Sequence, residues 1–393
     1  MFTITITSIL VVMIIIYTIL RYQYGFWIRQ PVFHAYDISY YFYPNKIINT
    51  ELPAKNKFTN LNKVNTYLMD EMKEPLWAEF VEFIQSNFLK NKNNEFQPKL
   101  DNVLPYFKNA SMSMFSFYTD SATTAATPTT ISVMTSRPVN SILKGTQLPL
   151  YYVDYLCVKK SHRKKGIAEQ MIQTHHYNQR RLNKDVQVSL FKREGELTGI
   201  VPLTCYDCFG YIVDKFISRL QYKVNDKYSL VEMGKTNIQV LTDYMKDPAT
   251  INRFDVFIYD NYSSLLETIS TKNIYVFCVI SRETQEVMAI YGFKRSCVSI
   301  NNKQILTCHF SIKTPSTTND LFYYCFLDCV KTINKGLSTN PYKLLAIENI
   351  TDNQIVISHL NQFCKPFVKS PTAYFLYNYV FIPVKSNRCV IFL

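Results

Sequence analysis

Val153-Asp-Tyr-Leu-Cys-Val-Lys-Lys-Ser-His-Arg-Lys-Lys-Gly-Ile-Ala168 decides how this chain is read. An apolar strand runs out at Val158. A basic turn with one glycine follows, and a helical pattern opens at Glu169. The loop amides and the positive end of the helix converge on one spot, where an anion is stabilised. Arg163, Lys164 and Lys165 add full charge there, and Gly166 lets backbone approach a ligand closely. The pattern fits a pyrophosphate, although a basic turn between strand and helix also occurs as plain solvated surface.

The chain has 393 residues, enough for two domains with real cores. Hydrophobic residues make up 47% and aromatics 15%, which excludes a disordered chain. The net charge of +13 calls for an anionic partner. A nucleic acid is ranked last, because the chain has neither an arginine-rich tail nor a recognised nucleic-acid motif. The 10 cysteines are scattered through apolar context and read as reduced core residues. Cys205-Tyr-Asp-Cys208 has no second pair, and His175-His176 do not share a helix face, so no metal is expected.

Residues 2–20 carry no charged side chain, and Ile and Val dominate from Ile9 to Ile16. As a helix they would span roughly 28 Å, close to the ~30 Å hydrocarbon core. A cleaved signal peptide would need a charged leader and a small-x-small cleavage site. We therefore expect a transmembrane anchor over residues 1–21. Arg21 and Arg29 then place the bulk of the chain in the cytoplasm as a single-pass membrane protein.

Further along, Leu76 to Phe88 has helical spacing, Asn91 to Asn94 is a polar break, and Ser121 to Thr130 reads as an exposed loop. Tyr151 to Val158 is strand-like and Glu169 to Leu182 helical. In the second half, Asn273 to Ile280 and Val287 to Phe293 flank a polar turn and form a hairpin. Leu321 to Ile333 is helical. Tyr342 to Ile347, Tyr374 to Val384 and Cys389 to Leu393 are strands. The fold class is α/β (α+β), with two halves of similar plan over residues 22–210 and 211–393.

The loop Arg163-x-x-Gly166-x-Ala168 resembles the signature of GCN5-related acyltransferases. Phe26-Trp27-Ile-Arg-Gln30-Pro31-Val32, Leu156-Cys157-Val158-x-Lys160 and Tyr374-Phe-Leu376-Tyr377-Asn378-Tyr379 resemble, in order and spacing, the motifs of the glycylpeptide N-tetradecanoyltransferases, the protein N-myristoyltransferases. The resemblance implies two GCN5-related acyltransferase-like halves, the first binding myristoyl-CoA and the second contributing the site for N-terminal glycine peptides. It implies that Gly25, Phe26, Trp27, Leu156, Cys157, Val158, Arg163, Lys164, Lys165, Gly166, Ile167 and Ala168 line the acyl-CoA site. The backbone amides of Tyr155 and Leu156 would form an oxyanion hole, and the terminal carboxylate of Leu393 would be the base. A monomer is expected, with the membrane met through residues 2–20.

The chain departs from the family at peptide positions. Phe88-Leu-Lys-Asn-Lys-Asn-Asn94 stands where the family has an acidic run, and Asp154 replaces an Asn. The region of Arg193 replaces a Thr, and Lys369-Ser-Pro-Thr-Ala373 replaces Gly-Asp-Gly. Two other readings stay open: a catalytically inactive member serving as a membrane-bound binding protein, and an acyltransferase acting on other amines or lysines.

Overall fold

Strands of two to fifteen residues build the sheet, and the computed structural model describes residues 2–23, 25–89, 94–120, 129–195, 199–217, 226–337 and 340–393. The loop expected at 121–130 and the break at 91–94 lie largely outside the described residues.

A 16-stranded sheet forms the spine. Its main path runs Tyr228–Glu232, Ile274–Ser281, Val287–Ile300, Lys303–Lys313, Leu344–Glu348, Thr204–Ile212, Val368–Tyr377, Val188–Glu194, Leu150–Val158, Thr129–Leu143, Val256–Tyr259 and Cys389–Phe392, and four shorter strands pair off this path. Of its three parallel pairs, two are joined through a helical crossover. Leu150 to Val153 pair with Val188 to Phe191, and Ile305 to Cys308 pair with Leu344 to Ile347. Each pair is crossed by a long helix, Ile167–Leu182 in one half and Asn319–Gly336 in the other. A parallel connection needs such a crossover. In each half the first strand of the pair also slips register against its antiparallel neighbour, between Val133 and Thr135 and between Gly292 and Phe293. The two halves thus share a plan.

Helical spacing explains the crossovers. Phe322, Phe326, Val330 and Ile333 lie on one face of Asn319–Gly336 and are almost fully buried. Each buried side chain contributes roughly 2 kcal/mol. Thr318 caps the helix by accepting from Leu321 N–H at 3.3 Å. The halves also exchange strands. Val368–Tyr377 pairs with Val188–Glu194, and Cys389–Phe392 returns to lie parallel to Val256–Tyr259, which pairs with Thr129–Leu143. Cys389–Phe392 ends the strand order, yet it is buried along its length, with the Phe392 ring 4.6 Å from that of Phe310.

The expected transmembrane anchor does not stand. Among the described residues no helix is long and apolar enough to cross a membrane. The apolar run forms the helix Phe2–Gln23. Ser8, Tyr17 and Thr18 interrupt the apolar surface, and Thr18 Oγ1 donates to the Ile14 carbonyl at 2.7 Å. The single-pass topology, the membrane contact through residues 2–20 and the cytoplasmic placement fall with the anchor.

Candidate active site

The site begins where a parallel pair comes apart. After Val153 the strand Leu150–Val158 leaves Val188–Glu194, because Tyr155 and Leu156 both face the single residue Met134 across the ladder. Such a bulge bends a strand and re-aims its groups. Tyr155 takes φ +52°, a left-handed conformation that is costly for a bulky residue. Its ring is held by Phe80 and Phe88, both 5.7 Å away centroid to centroid, and by Phe96 and Phe107 further out. The Tyr155 N–H donates to Asp154 Oδ1 at 2.8 Å. Two cavities, of about 990 Å3 and 560 Å3, meet at this bulge; Asp154, Tyr155 and Leu156 line both.

The basic loop closes one end of the larger cavity. Gly166 caps the helix Ile167–Leu182 at φ +73°, where a side chain would be strained although nothing would clash with it. Lys164, Gly166, Ile167 and Ala168 line the cavity, so the start of this helix borders it. Lys165 is not among its lining residues. Arg163 lines it too, but its guanidinium donates to the carbonyls of Val158 and Asn87, both at 3.1 Å. It braces the loop against the end of the helix Glu74–Asn87. Val158 and Cys157 lie on the strand leading into the loop. The Cys157 thiol is buried, and burial pushes it up to about 11 against a smaller opposing effect of Arg163. It is protonated at neutral pH and no nucleophile.

The smaller cavity is largely apolar. Trp27 stacks on Phe191 and Phe191 on Phe375, with centroids 6.1 and 5.3 Å apart, and all three line it with Met134, Ile172 and Ile200. Phe26 is buried behind Trp27, edge-on to it and to Phe58. Gly25 precedes Phe26 in a turn and lines neither cavity.

Charge gathers on the wall of the larger cavity opposite the loop. Lys192 Nζ lies 2.7 Å from Glu348 Oε1 and 3.8 Å from Glu194; Tyr206 donates to the other Glu348 oxygen at 2.6 Å. Burial pushes the Glu348 carboxyl up most strongly, but Lys192, His309 and Tyr206 together outweigh it and the group sits below its ordinary value. Burial pulls Lys192 down, and Glu348, Tyr374 and Glu194 together more than restore it. Leu393 is buried and lines this cavity, where Lys294 Nζ lies 3.5 Å from its oxygen and 4.6 Å from the Tyr106 ring centroid. Burial lowers the Lys294 ammonium, with Asp154 opposing. His309, at the matching bulge of the second half, is also buried here, and burial first, then Lys294, pulls its imidazole down to about 3. Sequence reasoning missed Lys192, Glu348, Lys294 and His309. Their only signal is a titratable residue inside an apolar strand, as in Leu306-Thr-Cys-His-Phe310. Among the described residues, no group of three or more His, Cys, Asp or Glu is placed to hold a metal ion.

No protein-family model matches the sequence, and no curated protein matches it. Solved structures do match. The N-myristoyltransferase of Saccharomyces cerevisiae with bound myristoyl-CoA superposes at a TM-score of 0.72 and 13% identity, over 92% of this chain and 89% of that one. The same enzyme with myristoyl-CoA and inhibitors gives 0.70 at 13% identity, over 92% and 91%. A tandem GNAT protein from the clavulanic acid biosynthesis pathway gives 0.56 at 10% identity, over 80% of this chain and 98% of that one. At such identities the likeness is one of fold: a mixed α/β chain of two GNAT-like halves, arranged as in N-myristoyltransferase.

Proposed function

We propose that this chain is a protein N-myristoyltransferase, moving a myristoyl group from myristoyl-CoA to the N-terminal glycine amine of a protein. One juxtaposition supports it most: the bulge at Tyr155 and Leu156, the helix start at Gly166 to Ala168 and Leu393 line a single cavity. In this reading residues 22–210 bind acyl-CoA, and residues 211–393 supply the peptide site and the terminal carboxylate. Pyrophosphate sits on the amides of Gly166 to Ala168 beside Lys164. The acyl chain fills the cavity behind the Trp27–Phe191–Phe375 stack.

The acceptor amine is mostly protonated near neutral pH, with an ordinary pKa of about 7.7 to 8.0. The Leu393 carboxylate takes the proton, and the free amine attacks the thioester carbonyl. Charge then builds on the carbonyl oxygen, where each aimed backbone donor is worth about 3 kcal/mol. Leu156 N–H supplies one donor, and Tyr155 N–H a second once Asp154 releases it. The carbon–sulfur bond breaks, the amide forms, and the nitrogen's remaining extra proton balances the thiolate of coenzyme A.

A second reading, an acyl-CoA binder without transfer, is favoured by the engagement of Tyr155 N–H with Asp154. Labelled myristoyl-CoA incubated with Gly-starting, acetyl-blocked and lysine-bearing peptides separates the readings. Label on the Gly-starting peptide alone is the expected result. Binding without transfer selects the second reading, and label on lysine sinks the N-terminal specificity.

A further inference from the structure

An ammonium stands in the wall of the larger cavity with no carboxylate side chain paired to it among the described residues. It belongs to Lys294, on the strand Val287–Ile300. Phe293 before it is fully buried and packs on Phe326, with centroids 5.4 Å apart. Successive side chains of a strand leave on opposite faces, and Lys294 emerges toward the cavity, which it lines while only partly buried. Two contacts with other lining residues locate the ammonium itself. Nζ donates to the Leu393 oxygen at 3.5 Å and lies 4.6 Å from the Tyr106 ring centroid.

The acids of this region are engaged elsewhere. Asp260 pairs with Arg137, Glu348 and Glu194 pair with Lys192, and Asp154 accepts from the Tyr155 N–H at 2.8 Å. Burial pulls Lys294 below its ordinary value; Asp154 and Asp260 oppose the fall, and Arg137 and Lys192 add to it. The other titratable neighbours carry no charge at neutral pH. Burial pulls His309 down to about 3, pushes Cys297 up to about 11 and pushes Tyr106 up. A cation in such a wall is costly unless an anion answers it, and a buried carboxylate is costly unless a cation does. A terminal carboxylate at Leu393 meets both needs. It has two oxygens, so one can face Lys294 and leave the other to the acceptor amine.

We propose that Lys294 is a positioning residue, whose ammonium pins the terminal carboxylate of Leu393 at the cavity wall and keeps it ionised, ready to accept the proton of the acceptor amine. This rests on the reading of Leu393 as the base. The test follows the terminal carboxyl of the full chain by NMR, using isotope-labelled leucine carbonyl carbons, of which only the terminal one titrates. Lys294→Met removes the charge at similar length and should raise the carboxyl's midpoint by about 1–3 pH units. Lys294→Arg should keep the midpoint near that of the unaltered chain. The acid limb of single-turnover transfer from myristoyl-CoA to a Gly-starting peptide should rise with the midpoint, while the Kd for myristoyl-CoA stays unchanged. General loosening of the fold would not give that combination. A midpoint unmoved in Lys294→Met overturns the inference, whether or not the chain transfers acyl groups. If the midpoint moves but a chain extended past Leu393 transfers at the full rate, the reading of Leu393 as the base falls, and the role of Lys294 with it.

Discussion

Replacing Glu348 by Ala should be among the most damaging single changes in the cavity wall. Glu348 is the main partner of Lys192, at 2.7 Å, and accepts from Tyr206 at 2.6 Å. The Lys192 side chain keeps only 24% of its surface in solvent, and Glu348 7%. Without Glu348 the ammonium keeps Glu194, at 3.8 Å and itself 60% exposed, and the Tyr374 ring, 5.9 Å away at its centroid. Breaking a buried pair from one side typically costs 3–5 kcal/mol. The exposed quarter of Lys192 puts this case near the lower end, at about 3 kcal/mol, and the stranded Tyr206 hydroxyl adds roughly 1 kcal/mol. Replacing both partners, as Lys192→Met with Glu348→Leu, removes the uncompensated charge and should recover most of the loss. Urea unfolding of the two singles and the double gives the coupling directly. Because Glu348 is held below its ordinary value of 4.5, its contribution is full above that pH and fades as pH falls through the folded value. Lys192 is held above 10.5, so its contribution is full below that and fades as pH rises past the folded value. The wild-type advantage over the double variant should therefore be flat from about pH 5 to 10. A Glu348→Ala loss under 1 kcal/mol, or a double variant as unstable as the summed singles, would refute the reasoning.

Other outcomes follow from neighbouring contacts. A Cβ at Gly292 would collide with the ring of Phe310, which packs on Phe392; Gly292→Ala should cost about 1–3 kcal/mol by overpacking and slow transfer, read by thermal melts and turnover. Lys164→Ala should weaken myristoyl-CoA binding more at low salt than at high salt, while Arg163→Ala, whose guanidinium braces backbone carbonyls, should weaken it equally at both. Identical salt slopes in titration calorimetry would reverse those roles. Asp154→Ala frees the Tyr155 N–H and should raise single-turnover transfer about tenfold, part of the worth of one donor; an unchanged rate would take that amide out of the reaction.

Much of the first half was legible because local signals coincide there. The run Tyr151 to Val158, the glycine at 166 and the amphipathic stretch to Leu182 each mark a neighbour's boundary, and the strand, turn and helix follow. In the second half the helix from Leu321 and the strand at Tyr342 to Ile347 were legible for the same reason, whereas the strand Lys303–Lys313, which carries His309, was not. What the sequence could not show is what distance in the chain conceals. Lys192 and Glu348 are 156 residues apart and Lys294 and Leu393 are 99 apart, and no periodicity pairs them. The capture of Tyr155 N–H by Asp154 was hidden differently, since it depends on the left-handed bulge rather than on residue type.

The most direct measurement is single-turnover transfer from labelled myristoyl-CoA to a Gly-starting peptide, comparing the chain ending at Leu393 with one carrying a single added glycine. The addition moves the carboxylate out of the place that Leu393 occupies beside Lys294. Transfer by the unaltered chain, lost at least a hundredfold in the extended one while the Kd for myristoyl-CoA stays within about twofold, is the result expected if a positioned carboxylate accepts the amine proton. Equal rates from the two chains would contradict it.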